Sequence, residues 1–167
     1  MADFRKLMLA LLAGALLLST AASAAPYACN ATAVPTLVRS EGIAEMMGDV
    51  LLRCDGEVPV AGILANIRLR LTTNITSNPA GGTGALEASL ILDEGWTASG
   101  RAFRGYAYTD GSQNVYQAAK ISDDEIEWAG VWIAGANSNP FKTIRITNVR
   151  GNAQALGDYA TIYASVN

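Results

Sequence analysis

The chain has 167 residues, with 12 Lys and Arg against 15 Asp and Glu, and no histidine. A net charge of −3 with scattered cations argues against nucleic acid and anionic membrane surfaces as partners, because both demand clustered positive charge. The lack of histidine removes Ser-His-Asp and Cys-His catalysis and the HExxH zinc helix, and leaves no side chain that titrates near neutral pH unaided.

Arg5 and Lys6 precede an apolar run over residues 7–18, and residues 19–24 turn small, ending in Ala22-Ser23-Ala24. This is the layout of an export signal with cleavage after Ala24. The apolar run is far short of the roughly 20 residues a membrane-spanning helix needs. Residues 1–24 are therefore expected to be removed, leaving residues 25–167 as one secreted domain, extracellular, periplasmic or on the cell surface, without a membrane span and large enough to bury a core. Export fixes the redox compartment, so Cys29 and Cys54, the only two cysteines, read as a disulfide. Its loop stabilises the fold by roughly 3 kcal/mol in the chain-entropy picture. Two thiols without histidine do not fill a tetrahedral zinc site, and neither metal nor cofactor is expected.

Along the secreted part, residues 33–39 read as a first extended segment, with Pro35 marking an edge position. Residues 43–47 suit a short strand or a turn of helix equally. Residues 50–54 form a strand closed by Asp55-Gly56. In residues 67–72, Ile67, Leu69 and Leu71 alternate with Arg68 and Arg70, the period of a half-buried strand. A Gly-rich loop over residues 78–84 leads to a strand at 86–92, ended by Asp93-Glu94-Gly95. Residues 101–109 alternate again, and Asp110-Gly111 follows as a turn signal.

Residues 114–121 and 125–134 form two strands around a turn at 122–124. Residues 135–140 form a loop. In residues 142–149, Ile144 and Ile146 face inward while Lys142 and Arg145 face out. Residues 151–158 form a loop or short helix. Residues 159–166 make a last strand, with Ala160, Ile162, Ala164 and Val166 on one face and Tyr159, Thr161 and Tyr163 on the other. Eight or nine short strands with regular turn signals and no helical period predict an all-β, antiparallel two-sheet β-sandwich; a closed barrel is the alternative.

The candidate ligand contacts are aromatic: Trp96 near a loop, Tyr106 and Tyr108 on one strand face, and Trp128 and Trp132 four apart and so on one face. Aromatic rows of this kind stack on sugar rings; the plainer reading is core packing. Asp123-Asp124-Glu125 with Glu127 supplies oxygen ligands of the type calcium takes, but without a calcium-loop spacing, and reads better as a solvated turn. Asp93 and Glu94 are adjacent, so on a strand they point to opposite faces and do not make a glycosidase pair. Asn30-Ala31-Thr32 and Asn74-Ile75-Thr76 match the N-glycosylation pattern.

The segment from Cys29 to Cys54, with its Glu41-Gly42 and the run from Gly48 to Cys54, resembles the opening of pilin-like exported domains of the chaperone-usher and spore-coat-U type. Together with residues 141–150 it is also similar to secreted bacterial β-sandwich proteins. The resemblance implies an incomplete immunoglobulin-like sandwich in which a Cys near the mature N-terminus joins one at the end of the second strand. Donor-strand pilins carry a long extension before the first Cys; here residues 25–28 alone would precede it after cleavage, too few for a strand. The C-terminal strand, with Tyr159, Ile162, Tyr163 and Val166, is then the segment left for self-association.

The resulting expectation is a non-catalytic structural or surface protein, a subunit of an extracellular filament, coat or adhesive layer, whose partners are copies of itself or other surface proteins. The alternative is a carbohydrate-binding module with a polysaccharide partner. A carboxylate-dependent hydrolase is the third and least supported reading.

Overall fold

The computed structural model describes residues 27–59, 61–81, 84–92, 114–133, 135 and 142–167. The export signal expected at 1–24, the strand expected at 101–109 and Asp93 and Glu94 lie outside the described residues.

The described residues form eleven strands: β1 (Ala28–Ala33), β2 (Glu45–Met46), β3 (Val50–Asp55), β4 (Ile63–Leu71), β5 (Pro79–Ala80), β6 (Ala85–Leu92), β7 (Val115–Lys120), β8 (Glu125–Ile133), β9 (Lys142–Thr147), β10 (Arg150–Gly151) and β11 (Ala164–Val166). The only helical segment among the described residues is a 3-10 turn at Gln154–Leu156. These strands pair antiparallel throughout.

The strands form because apolar residues recur at every second position. On β3, Val50, Leu52 and Cys54 are buried and Leu51 and Arg53 are exposed. On β4, Ile67, Leu69 and Leu71 point inward while Arg68 and Arg70 point out, as the alternation predicts. On β6 the inward set is Leu86, Ala88, Leu90 and Leu92. These faces meet in one apolar cluster together with Ile126, Trp128, Val131, Ile144 and Ile146. Each fully buried side chain of this size stabilises the fold by about 1.5–3 kcal/mol relative to exposure.

Two stacked but separate sheets are not what the pairing traces. Hydrogen-bonded neighbours run without a break in the order β1-β3-β9-β6-β7-β8-β4-β11, with β5 added to β6, and β10-β2 makes a separate ribbon. The turn from one wall to the other is narrow, because β7 meets β8 at only Ala119↔Glu127 and Lys120↔Ile126. The far walls are stitched by the chain beyond β4. Ile75 bridges Gly151, the Thr76 N–H donates to the Arg150 carbonyl (2.9 Å), and the Asn152 N–H donates to the Asn74 carbonyl (2.9 Å). The segment that follows β9 is thereby joined to the segment that follows β4, which gives the sheet its nearly closed, barrel-like course.

Several expected elements shift. The first strand is Ala28–Ala33 rather than 33–39, because Cys29↔Cys54 sets its register on β3 and Pro35 falls after its end. The ambiguous segment at 43–47 is the two-residue β2. Lys142 is buried, not exposed, because it has the same parity as Ile144 and Ile146. The last strand shrinks to Ala164–Val166, since Tyr159 sits in a turn at φ 62°, which extended chain does not adopt.

Trp128 and Trp132 do not share a face. Between Ile67↔Trp128 and Ala65↔Val131, Ala129 and Gly130 on β8 stand opposite the single residue Asn66. This is a β-bulge, and one extra residue reverses the inward parity of everything beyond it. Gly130 takes φ 64°, a conformation that favours glycine, and its N–H donates to Asn66 Oδ1 (2.9 Å). Trp128 is therefore fully buried, its Nε1–H donating to the Ala88 carbonyl (3.3 Å). Trp132 is half-buried and lies against Gly62, where a Cβ would meet its ring at 2.5 Å.

The parity reversal has a measurable consequence. Trp128→Ala should cost about 3–5 kcal/mol, the range for an aromatic lost from a packed core. Trp132→Ala should cost roughly half of that or less, in proportion to its smaller burial. Urea unfolding followed by circular dichroism reads both; equal losses would place the two rings in one environment.

Candidate functional site

A sheet with two ends leaves two edges, and their unpaired N–H and C=O groups are the most reactive backbone surface of a β protein. Among the described strands the ends are β1 and β11. All six residues of β1 are exposed. The Cys29–Cys54 disulfide joins β1 to β3 across a directly opposed pair, with Cys54 fully buried. The segment that follows β1 exposes Val34, Leu37 and Ile43, an apolar stretch of the kind that marks contact surfaces.

The other edge is built on β4. Its residues Leu69, Arg70 and Leu71 stand opposite Val166, Ser165 and Ala164 of β11. Main-chain bonds lock both ends of this short ladder. Arg68 and Asn167 exchange N–H to carbonyl bonds (2.9 and 3.0 Å), and the Thr72 N–H donates to the Tyr163 carbonyl (3.0 Å). In return the Tyr163 N–H donates to Thr72 Oγ1 (3.0 Å). Ile162 and Val166 pack partly onto the core, while Tyr159 and Tyr163 stand in solvent. An open cleft of about 520 Å³ runs beside β11, lined among others by Arg70, Thr72, Asn74, Asp123, Asp124 and Tyr163.

Charge on this corner is paired across strands. Arg70 Nε donates to Asp124 Oδ2 (2.7 Å), Arg68 pairs with Glu127 and more distantly with Glu125 (3.9 Å), and Lys120 pairs with Asp123 (2.8 Å). The acidic cluster singled out in the sequence is thus distributed among the cations of β4 and β7, as opposite charges facing each other across a ladder favour. Among the described residues no group of three or more Cys, Asp and Glu side chains is placed to hold a metal ion. Hydrogen bonds from the Ser122 hydroxyl and from Arg70 hold the Asp124 carboxyl below the usual carboxylate range. On the other wall, burial of Glu87 opposes its ionisation. Hydrogen bonds from Asn78 and Arg150 (2.6 Å to Arg150 Nε) outweigh that cost and hold its carboxyl low.

Of the aromatic candidates, Trp128 is sealed in the core and Trp132 is half-buried, while Trp96, Tyr106 and Tyr108 lie outside the described residues. Of the C-terminal candidates, Tyr163 and Val166 do lie on the β4 edge, Ile162 plugs the core beside it, and Tyr159 stands in the connecting turn. Asn30 and Asn74 of the two glycosylation patterns are both exposed. Arg70, Thr72 and Asn74 were not singled out in the sequence as lining this cleft. The available signal was charge complementarity, with Arg68 and Arg70 two apart on one strand and Glu125 and Glu127 two apart on another. No family model, curated protein or solved structure matches this chain.

The two lowered carboxyls set a pH dependence. Both bind protons less readily folded than unfolded, so their contribution is complete above the unfolded carboxylate range and is lost as pH falls through the lower folded values. The thermal midpoint should therefore stay flat from about pH 7 to 5 and drop below about pH 4. Glu87→Gln should flatten that acid slope; a variant with an unchanged slope would show that Glu87 is not one of the groups responsible.

Proposed function

We propose that this chain is an exported, non-catalytic structural or surface protein. It serves as a subunit of an extracellular filament, coat or adhesive layer, and it works by self-association or by contact with other surface proteins. The single observation that carries this reading is the pair of exposed edges, β1 and β11, at opposite ends of the ladder formed by the described strands. Strand addition at such edges supplies affinity through main-chain hydrogen bonds and needs no pocket.

The Cys29–Cys54 disulfide, and the lack of any helix among the described residues long and apolar enough to cross a membrane, are compatible with an extracellular or periplasmic site. Removal of residues 1–24 belongs to the same proposal. So does an immunoglobulin-like, pilin-like arrangement of two sheet walls, for which the clasp between β1 and β3 is the supporting feature.

A carbohydrate-binding module is the second reading. It draws on the cleft beside β11, where Tyr163 offers an exposed ring near Arg70, Asn74 and Asp123. A polysaccharide titration separates the two: it should leave assembly-type contacts untouched, but it should change tyrosine emission, in a way Tyr163→Ala abolishes, if sugar binding is the function.

Assembly predicts that the protein purified after export forms high-order particles as concentration rises, seen by light scattering and negative-stain microscopy. A species that remains strictly monomeric at high concentration would remove the reading.

A further inference from the structure

The β4 edge already has an occupant whose fit is known, namely β11 of the same chain. What distinguishes this chain from one with a permanently docked last strand is the connection. After the 3-10 turn at Gln154–Leu156, every residue from Gly157 to Thr161 is exposed. Among the described residues no hydrogen bond to the rest of the fold anchors residues 158–162. Tyr159 holds φ 62° with its side chain wholly in solvent. A bulky residue in the left-handed region is strained, and nothing packs on this one to repay the strain. The strand beyond it makes only three residue pairs, borders the open cleft, and has Tyr163 largely exposed.

We propose that Ala164–Val166, with Ile162 as its apolar plug, exchanges between copies, so that the occupant of the β4 edge in the assembled protein is β11 of a second copy of this chain. The exchange rests on the self-association reading and names its mechanism. It keeps each bond made by β11: Arg68 with Asn167, Thr72 with Tyr163, and the burial of Ile162 and Val166 are all re-formed between chains. What changes is the hinge. Opening lets Tyr159 return to extended φ, so hinge strain is relieved only in the exchanged form, the condition under which short strained connections favour swapping. Val34, Leu37 and Ile43 at the other edge play no part, and β1 stays clasped to β3 by its disulfide.

The test pairs Leu71→Cys with Ala164→Cys, positions directly opposite on β4 and β11. The protein purified after export is separated into monomer and assembled fractions before oxidation. Exchange predicts covalent dimers and higher multimers from the assembled fraction on non-reducing gels, with internal cross-links only from the monomer. Internal cross-links alone in the assembled fraction would overturn the exchange while leaving self-association in place. A chain that is monomeric at every concentration would overturn both.

Should the double substitution perturb the core at Leu71, Tyr159→Gly gives an independent readout without touching the core. Relief of the hinge strain in the closed form should lower the assembled fraction roughly tenfold. An unchanged or larger assembled fraction would contradict the proposal.

Discussion

The constraint on which this structure depends is that a β-sheet must pair its backbone groups, and that a sheet falling short of closure has two rows it cannot pair. Here the ladder runs from β1 to β11 and curls until the segments beyond β4 and β9 touch, at Ile75 and Gly151. That seam makes the course of the sheet nearly closed, and β1 and β11 are the terminal strands of the ladder. The two ends are secured differently. β1 has six residue pairs and a covalent bond to β3, while β11 has three pairs and an exposed, strained lead. One end is secured more firmly than the other, and the proposed exchange of β11 rests on that inequality.

The interior makes the inequality tolerable. Strict alternation on β3, β4, β6 and β9 directs Leu52, Leu69, Leu90, Ile144 and Ile146 into one cluster around Trp128. None of this core depends on β11 for more than the partial cover that Ile162 and Val166 give. The last strand can therefore leave and return without dissolving the cluster, whereas loss of β8 or β6 would. Local openings with their own free energies are expected at elements with few buried apolar contacts.

Much of the architecture is legible in the sequence because period-two alternation is a direct imprint of burial. Ile67 to Leu71, Leu86 to Leu92 and Ile144 with Ile146 read correctly for that reason, and the disulfide is expected from the only two cysteines once export is read from the pattern of residues 5–24. Three features stay hidden for physical reasons. Trp128 and Trp132 share a parity in the sequence, but the unpaired residue at Ala129–Gly130 reverses it, and a lone glycine in a strand does not say which neighbour carries the bulge. Lys142 reads as surface by residue type and is buried by register. The unbroken course of the sheet depends on pairs far apart in the chain, β3 with β9 and β6 with β9, that no local pattern encodes. The β4 edge is half-legible: Tyr163 and Val166 mark it, but Thr72, which binds Tyr163 through its hydroxyl, is indistinguishable from any other strand-end threonine.

Hydrogen–deuterium exchange with mass spectrometry on the monomeric protein tests the unequal-edge account most directly, because it reads each strand's own opening. The account predicts that peptides covering residues 157–167 exchange in an early, separate opening, while those covering β6 and β8 exchange only on global unfolding and the β1 amides bonded to β3 stay protected for as long as the disulfide is intact. If residues 157–167 are as well protected as β8, the last strand is a fixed part of the wall and the account fails.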